Sequence, residues 1–182
     1  MALEFTTSYL ADAISLFRYY KKLGERALEQ VADDQLGYAQ DEENNSIAII
    51  MKHLAGNMRS RWTDFLTADG EKPSRNRDSE FEDPPKTRTE LMQGWEEGWA
   101  CLLGTLESLK DSDMSRRVVI RGEAHSVMKA INRQLCHCAY HVGQIVLLAK
   151  QRRKGDWTSL TVPRGKSSNY NERVQKGEIS QR

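Results

Sequence analysis

Proline is scarce. The chain has four in 182 residues, Pro73, Pro84, Pro85 and Pro163, so long stretches are free of the one residue that removes a helical amide donor and clashes with the preceding turn. Cysteine is scarcer still. Cys101, Cys136 and Cys138 make an odd count in a chain of this length, which argues against a disulfide framework and fits the reduced thiols of a cytosol. No run approaches the roughly 18 apolar residues of a membrane helix. The opening stretch MALEFTTSYLADAISLF carries Glu4 and Asp12 and has no basic region before an apolar core, so it does not read as a secretory signal. Neither sign of charge prevails: 27 Lys and Arg face 26 Asp and Glu, a net +1, and nothing in that balance demands nucleic acid or an anionic membrane as partner. A glycine-rich dinucleotide turn, a P-loop and a serine nucleophile elbow are all missing, which removes the chemistries that depend on them. The expectation is a cytoplasmic chain without a nucleic-acid or membrane partner.

What the sequence does have is apolar residues at helical spacing. Residues 3 to about 31, with Leu3, Leu10, Ile14, Phe17 and Leu28, predict a first long helix. VADDQLGY reads as a connection, and Asn45 or Ser46 as the cap of a second helix from Ile47 to about Thr67. Residues 68–86 are polar and contain Gly70, Pro73, Pro84 and Pro85, a loop long enough to suspect of function. A third helix is expected from Thr87 to about Leu109. RVVIR is short and β-branched and is followed by Gly122, so it predicts an extended segment or hairpin arm, with Ser126 capping a fourth helix from Val127 to about Lys150. The predicted fold class is all-α: a four-helix bundle with one long crossover loop over residues 1–152, and an irregular tail over 153–182. Trp157, Leu160 and Val162 are too apolar for a solvated linker, so the tail is expected to pack on the bundle or on a second subunit.

On the fourth helix, at about 100° per residue, Val127, Ile131, Leu135, Cys138, Val142, Ile145 and Ala149 form an apolar stripe. His137, His141 and Gln144 lie along its edge. On the second helix His53 and Asn57 hold the same place beside Ile47, Ile50, Leu54 and Met58. Three neutral imidazoles brought together suit zinc, nickel, copper or iron(II), with a position left for water or substrate. The pair His137 and His141 has the spacing of the zinc proteases, but Cys138 stands where their glutamate would be, so that mechanism is unsupported. The other reading stays open at this point: histidines on an apolar edge also serve as hydrogen-bonded boundary residues of a metal-free bundle. His125 is assigned to a cap or loop. Cys138 faces the stripe and Cys136 points away, both in structural roles.

The phrases IIMKHLAGNMRSRW and CHCAYHVGQI, a histidine on the second helix followed by HxxxHxxQ on the fourth, resemble the DinB-like superfamily of four-helix bundles, which includes the YfiT-type proteins. HLAGNMRSRWTDFL and DWTSLTVPRGKS are similar to its subgroup known as domain of unknown function 1572 (DUF1572). The resemblance implies that His53, His137 and His141 are ligands of a divalent metal, nickel or zinc. It also implies a homodimer and, in some members, a transferase that activates a low-molecular-weight thiol of the bacillithiol kind for attack on an electrophilic small molecule. The alternative is a non-catalytic, metal-binding or stress-associated homodimer. Asn57, Gln144, Arg61 and Trp62, with Arg59, are the candidates to line the site or to orient its ligands.

Overall fold

A computed structural model of the chain describes residues 7–153 and 155–180. Residues 3–6 of the expected first helix, Leu3 among them, lie outside the described residues. The helices are α1 (Tyr9–Leu28), α2 (Asp33–Leu36), α3 (Ile47–Trp62), α4 (Arg88–Ser108), α5 (Val127–Arg153) and α6 (Ser167–Gln175), and a two-stranded antiparallel sheet, β1 (Arg117–Ile120) with β2 (Glu123–Ser126), precedes α5. α1, α3, α4 and α5 form the bundle, with α3 packed mainly on α4 and α1 mainly on α5.

The helix starts follow from capping. Ser8, Ser46 and Thr87 each accept an amide hydrogen bond from the first turn of α1, α3 and α4, and Thr87 forms a reciprocal capping box with Glu90. Ser126 Oγ accepts from the Lys129 amide at the start of α5. The ends are set less locally. α1 stops at Leu28, short of the expected residue 31, and the guanidinium of Arg88 donates to the carbonyls of Leu28 and Val31, satisfying groups a helix end leaves bare. α3 stops at Trp62, short of Thr67: Thr63 turns extended and Asp64 takes a left-handed φ of 51°. Phe65, whose apolar character suggested more helix, is buried by stacking on Trp62 at 4.4 Å between ring centroids.

The core is aromatic on the α4 side. Trp95, Trp99, Phe17, Met51, Leu54, Met58 and Leu102 are completely buried, and Trp99 meets Trp95 and Phe17 edge-on. Gly98 is needed there, because a Cβ would stand 2.8 Å from Ala55 Cα. The α3–α4 interface is therefore close to backbone contact.

The crossover between α3 and α4 is ordered by specific bonds. Lys52 Nζ donates to the carbonyls of Ser79 and Glu82 at 2.6 and 2.7 Å, clamping a 3-10 turn at Asp78–Phe81 onto α3. Asp69 accepts the amides of Glu71, Arg121 and Gly122, each at 2.8 Å, so the loop holds the turn between β1 and β2. The tail returns to α1: Gln30 brackets Thr158 with two hydrogen bonds, Arg26 donates to the Leu160 carbonyl, and Trp157 and Leu160 pack against the core. It is not wholly irregular, since it contains α6, a polar helix with no buried residue. Among the described residues no helix is long and apolar enough to cross a membrane.

Candidate metal centre

α3 supplies His53, and α5 supplies His137 and His141 one turn apart; one nitrogen from each lies within 4.8 Å of the others. His53 Nε2 is 3.1 Å from His137 Nε2, and the three ring centroids are 5.1, 4.9 and 4.6 Å apart pairwise. His53 is buried and the other two are partly buried.

Two of the rings are held from behind. Glu80 Oε2, in the 3-10 turn, lies 2.8 Å from His53 Nδ1. Burial alone would raise the Glu80 pKa, but the hydrogen bonds from His53 and Arg75 and the charge of Arg75 outweigh it and keep the carboxyl below its ordinary value. The group is therefore an ionised acceptor, His53 Nδ1–H donates to it, and Nε2 is the ring nitrogen left on the side of the other two histidines. Arg75 in turn grips Glu80 with two bonds, at 2.8 and 2.9 Å, and donates a third to Glu71. Gly56 makes the arrangement possible: a Cβ there would stand 2.6 Å from Glu80 Oε1. On α5, His141 Nδ1–H donates to Gln144 Oε1 at 2.8 Å, again leaving Nε2 for the centre. Phe81 packs over His53 at 4.6 Å.

His137 has the most perturbed ring. Desolvation, then the neighbouring His141, His53, Arg75 and Arg61, push its pKa down to about 3. Desolvation also lowers His141, against its hydrogen bond to Gln144. His137 and His141 are therefore neutral at neutral pH, the form that ligates metals. The donor set fits a divalent ion: two imidazole nitrogens sharing a tetrahedral ion at about 2.0–2.1 Å would lie roughly 3.3 Å apart, close to the 3.1 Å between His53 and His137.

The histidines open into a cleft of about 780 Å³, also walled by Asn57, Arg61, Trp62 and Phe65 from α3 and its following turn. Asn57 does not bond an imidazole; its buried Oδ1 has no partner, and Glu80 orients His53 instead. Gln144 sits behind His141 rather than in the cleft wall. Arg59 is absent from the cleft and pairs with Glu97 of α4 across a solvent-exposed contact. His125 lies on β2, buried, outside the cleft. Cys138 is fully buried, its thiol pushed up to about 12 by burial, while Cys136 is exposed. Glu80 and Arg75 were not anticipated from sequence. The loop that carries them stood out only by its length and polarity.

The sequence matches the family described as "Protein of unknown function (DUF1572)" over residues 4–166. In shape the chain is similar to the crystal structure of a DinB-like protein, YjoA, from Bacillus subtilis, with a TM-score of 0.62 and 15% identity over 81% of this chain and 96% of that one. At that identity the likeness speaks for the fold. No curated protein matches the sequence.

Proposed function

We propose that this chain, which belongs to the DUF1572 family and has the DinB-like helical fold, holds one divalent metal ion, nickel or zinc, through the Nε2 atoms of His53, His137 and His141. The observation that carries the reading is the convergence of three histidines, two with their Nδ1 sides already engaged by Glu80 and Gln144. Such outer partners fix the tautomer and ring direction of metal-binding histidines. A divalent cation at such a site lowers the pKa of a bound thiol or water, so that a nucleophile exists at neutral pH. Three protein ligands leave room for that group, and the cleft beside them receives a small-molecule substrate.

The fuller reading is a transferase that uses a low-molecular-weight thiol, bacillithiol-like, against an electrophile. The overall transfer forms a sulfur–carbon bond, expels the leaving group with its electron pair and gives the thiol proton to water. Thiol consumption with 1-chloro-2,4-dinitrobenzene tests it. Consumption is expected to follow metal loading and to vanish in His137→Ala. Equal rates with and without metal would favour the second reading, a non-catalytic metal-binding homodimer. That reading draws on Tyr140 and Leu147, which are 64% and 58% exposed on α5 and, seven residues apart, share a helix face. Gel filtration at micromolar concentration tests the dimer.

A further inference from the structure

The cleft beside the histidines has a marked charge asymmetry. Its lining includes Arg61, Arg121, Lys129 and Arg133 and no acidic residue. α3 carries His53, Asn57 and Arg61 at successive intervals of four residues along one face, so Arg61 lies about 12 Å along the helix from His53. α5 repeats the order in reverse, His137, Arg133 and Lys129. Arg61 and Arg133 line the same cleft as the histidines, so the two helices carry their cations towards the same end. That end is closed by the turn of the β hairpin.

The hairpin adds a cation at a conformational cost. Arg121 and Gly122 both have positive φ, 55° and 76°, the two-residue turn in which Asn followed by Gly is favoured. A long side chain at the first position is a poor choice for the turn, and here it lines the cleft. Glu71 Oε2 is shared among Arg61, Arg75 and Arg121 at 3.1–3.2 Å, so one carboxylate serves three guanidiniums, while Lys129 and Arg133 form no ion pair among the described residues. Arg61 Nη1 is buried without a hydrogen-bond partner, as is Oδ1 of Asn57, itself 7% exposed, between Arg61 and the histidines. An unsatisfied buried donor and an unsatisfied buried acceptor beside an open cationic cleft point to a partner that the chain does not supply.

We propose that the hairpin end of the cleft, where Arg61, Arg121, Lys129 and Arg133 gather, is a subsite for the carboxylate or phosphate group of an elongated ligand whose other end lies at the three histidines. Asn57, half way along, accepts a hydrogen bond from an N–H or O–H in the ligand's middle. The second half of this inference rests on the histidine end being a ligand site; the anion subsite does not.

The test is a titration of the ¹⁵N-labelled, metal-free chain with inorganic phosphate and, separately, with succinate, following arginine side-chain N–H resonances. Saturable shifts at Arg61, Arg121 and Arg133 are expected. Arg121→Asn, which suits the turn, and the pair Lys129→Gln with Arg133→Gln should each weaken binding by about tenfold, the loss of a charge-assisted hydrogen bond, with thermal stability unchanged or raised in Arg121→Asn. Arg18→Gln, on α1 and outside the cleft, serves as the control and should bind as the unaltered chain does. Tighter phosphate than succinate binding assigns a phosphate group, and the reverse a carboxylate. Unsaturable shifts, or affinity that is unchanged in the cleft variants or equally weakened by Arg18→Gln, would overturn the proposal. His137→Ala should leave phosphate binding within about twofold, so a failure of the metal reading and a failure of the anion subsite are separable.

Discussion

α3 takes part in two very different interfaces. Towards α4 it is nearly in backbone contact, with Gly98 against Ala55 and with Trp99, Met58 and Leu102 completely buried. Towards α5 it is held open around three imidazoles, a buried carboxylate and a cleft. Buried polar groups cost stability unless each finds a partner, and close apolar packing is the main favourable contribution that offsets such costs. The α4 side stabilises the helix and so permits the α5 side to keep buried histidines and unpartnered polar atoms beside one another.

The largest expected effect breaks the packed side alone. Leu102→Ala should destabilise the chain by about 2–5 kcal/mol, read from urea denaturation, while the metal content of the folded fraction stays unchanged. If metal falls in proportion, the two interfaces are not separable. The next effect sharpens the polar side. Glu80→Gln and Gly56→Ala both disturb the carboxylate behind His53, the second because its Cβ would collide with that group. Each should weaken zinc or nickel affinity by about 10- to 100-fold, measured by chelator competition, with a smaller change in stability than Leu102→Ala.

The third effect is one of pH. The folded-state pKa of His137, about 3, lies below its ordinary 6.5, so between those values the unfolded chain binds the additional proton. The stability tied to the neutral ring is fully present above about pH 6.5 and is lost as the pH falls through that window. In the metal-free protein His137→Gln should therefore lose less stability than the unaltered chain between about pH 7 and about pH 4. Parallel pH profiles for the two would contradict the buried, neutral ring.

The bundle helices and the histidine group were legible in the sequence for one reason: both are periodic. An apolar stripe with His53 or with His137 and His141 on its edge specifies which helix faces meet, and the structure brings these edges together. Glu80 was not legible, because its partner is 27 residues away and is reached through a loop whose course depends on the Lys52 clamp and on the space left by Gly56. α6 was hidden for the opposite reason. SSNYNERVQ forms a helix with no buried residue, and an exposed helix leaves no apolar period to read. The end of α3 was misplaced because Phe65 is buried by stacking in a turn, which periodicity does not distinguish from one more helical position.

Elemental mass spectrometry of the purified chain, free of any histidine tag, beside His137→Ala tests the central claim most directly. About one nickel or zinc ion per chain, absent from the variant, is the predicted result. No bound ion in the unaltered chain, even after reconstitution with either metal, or the same content in both proteins, would contradict it.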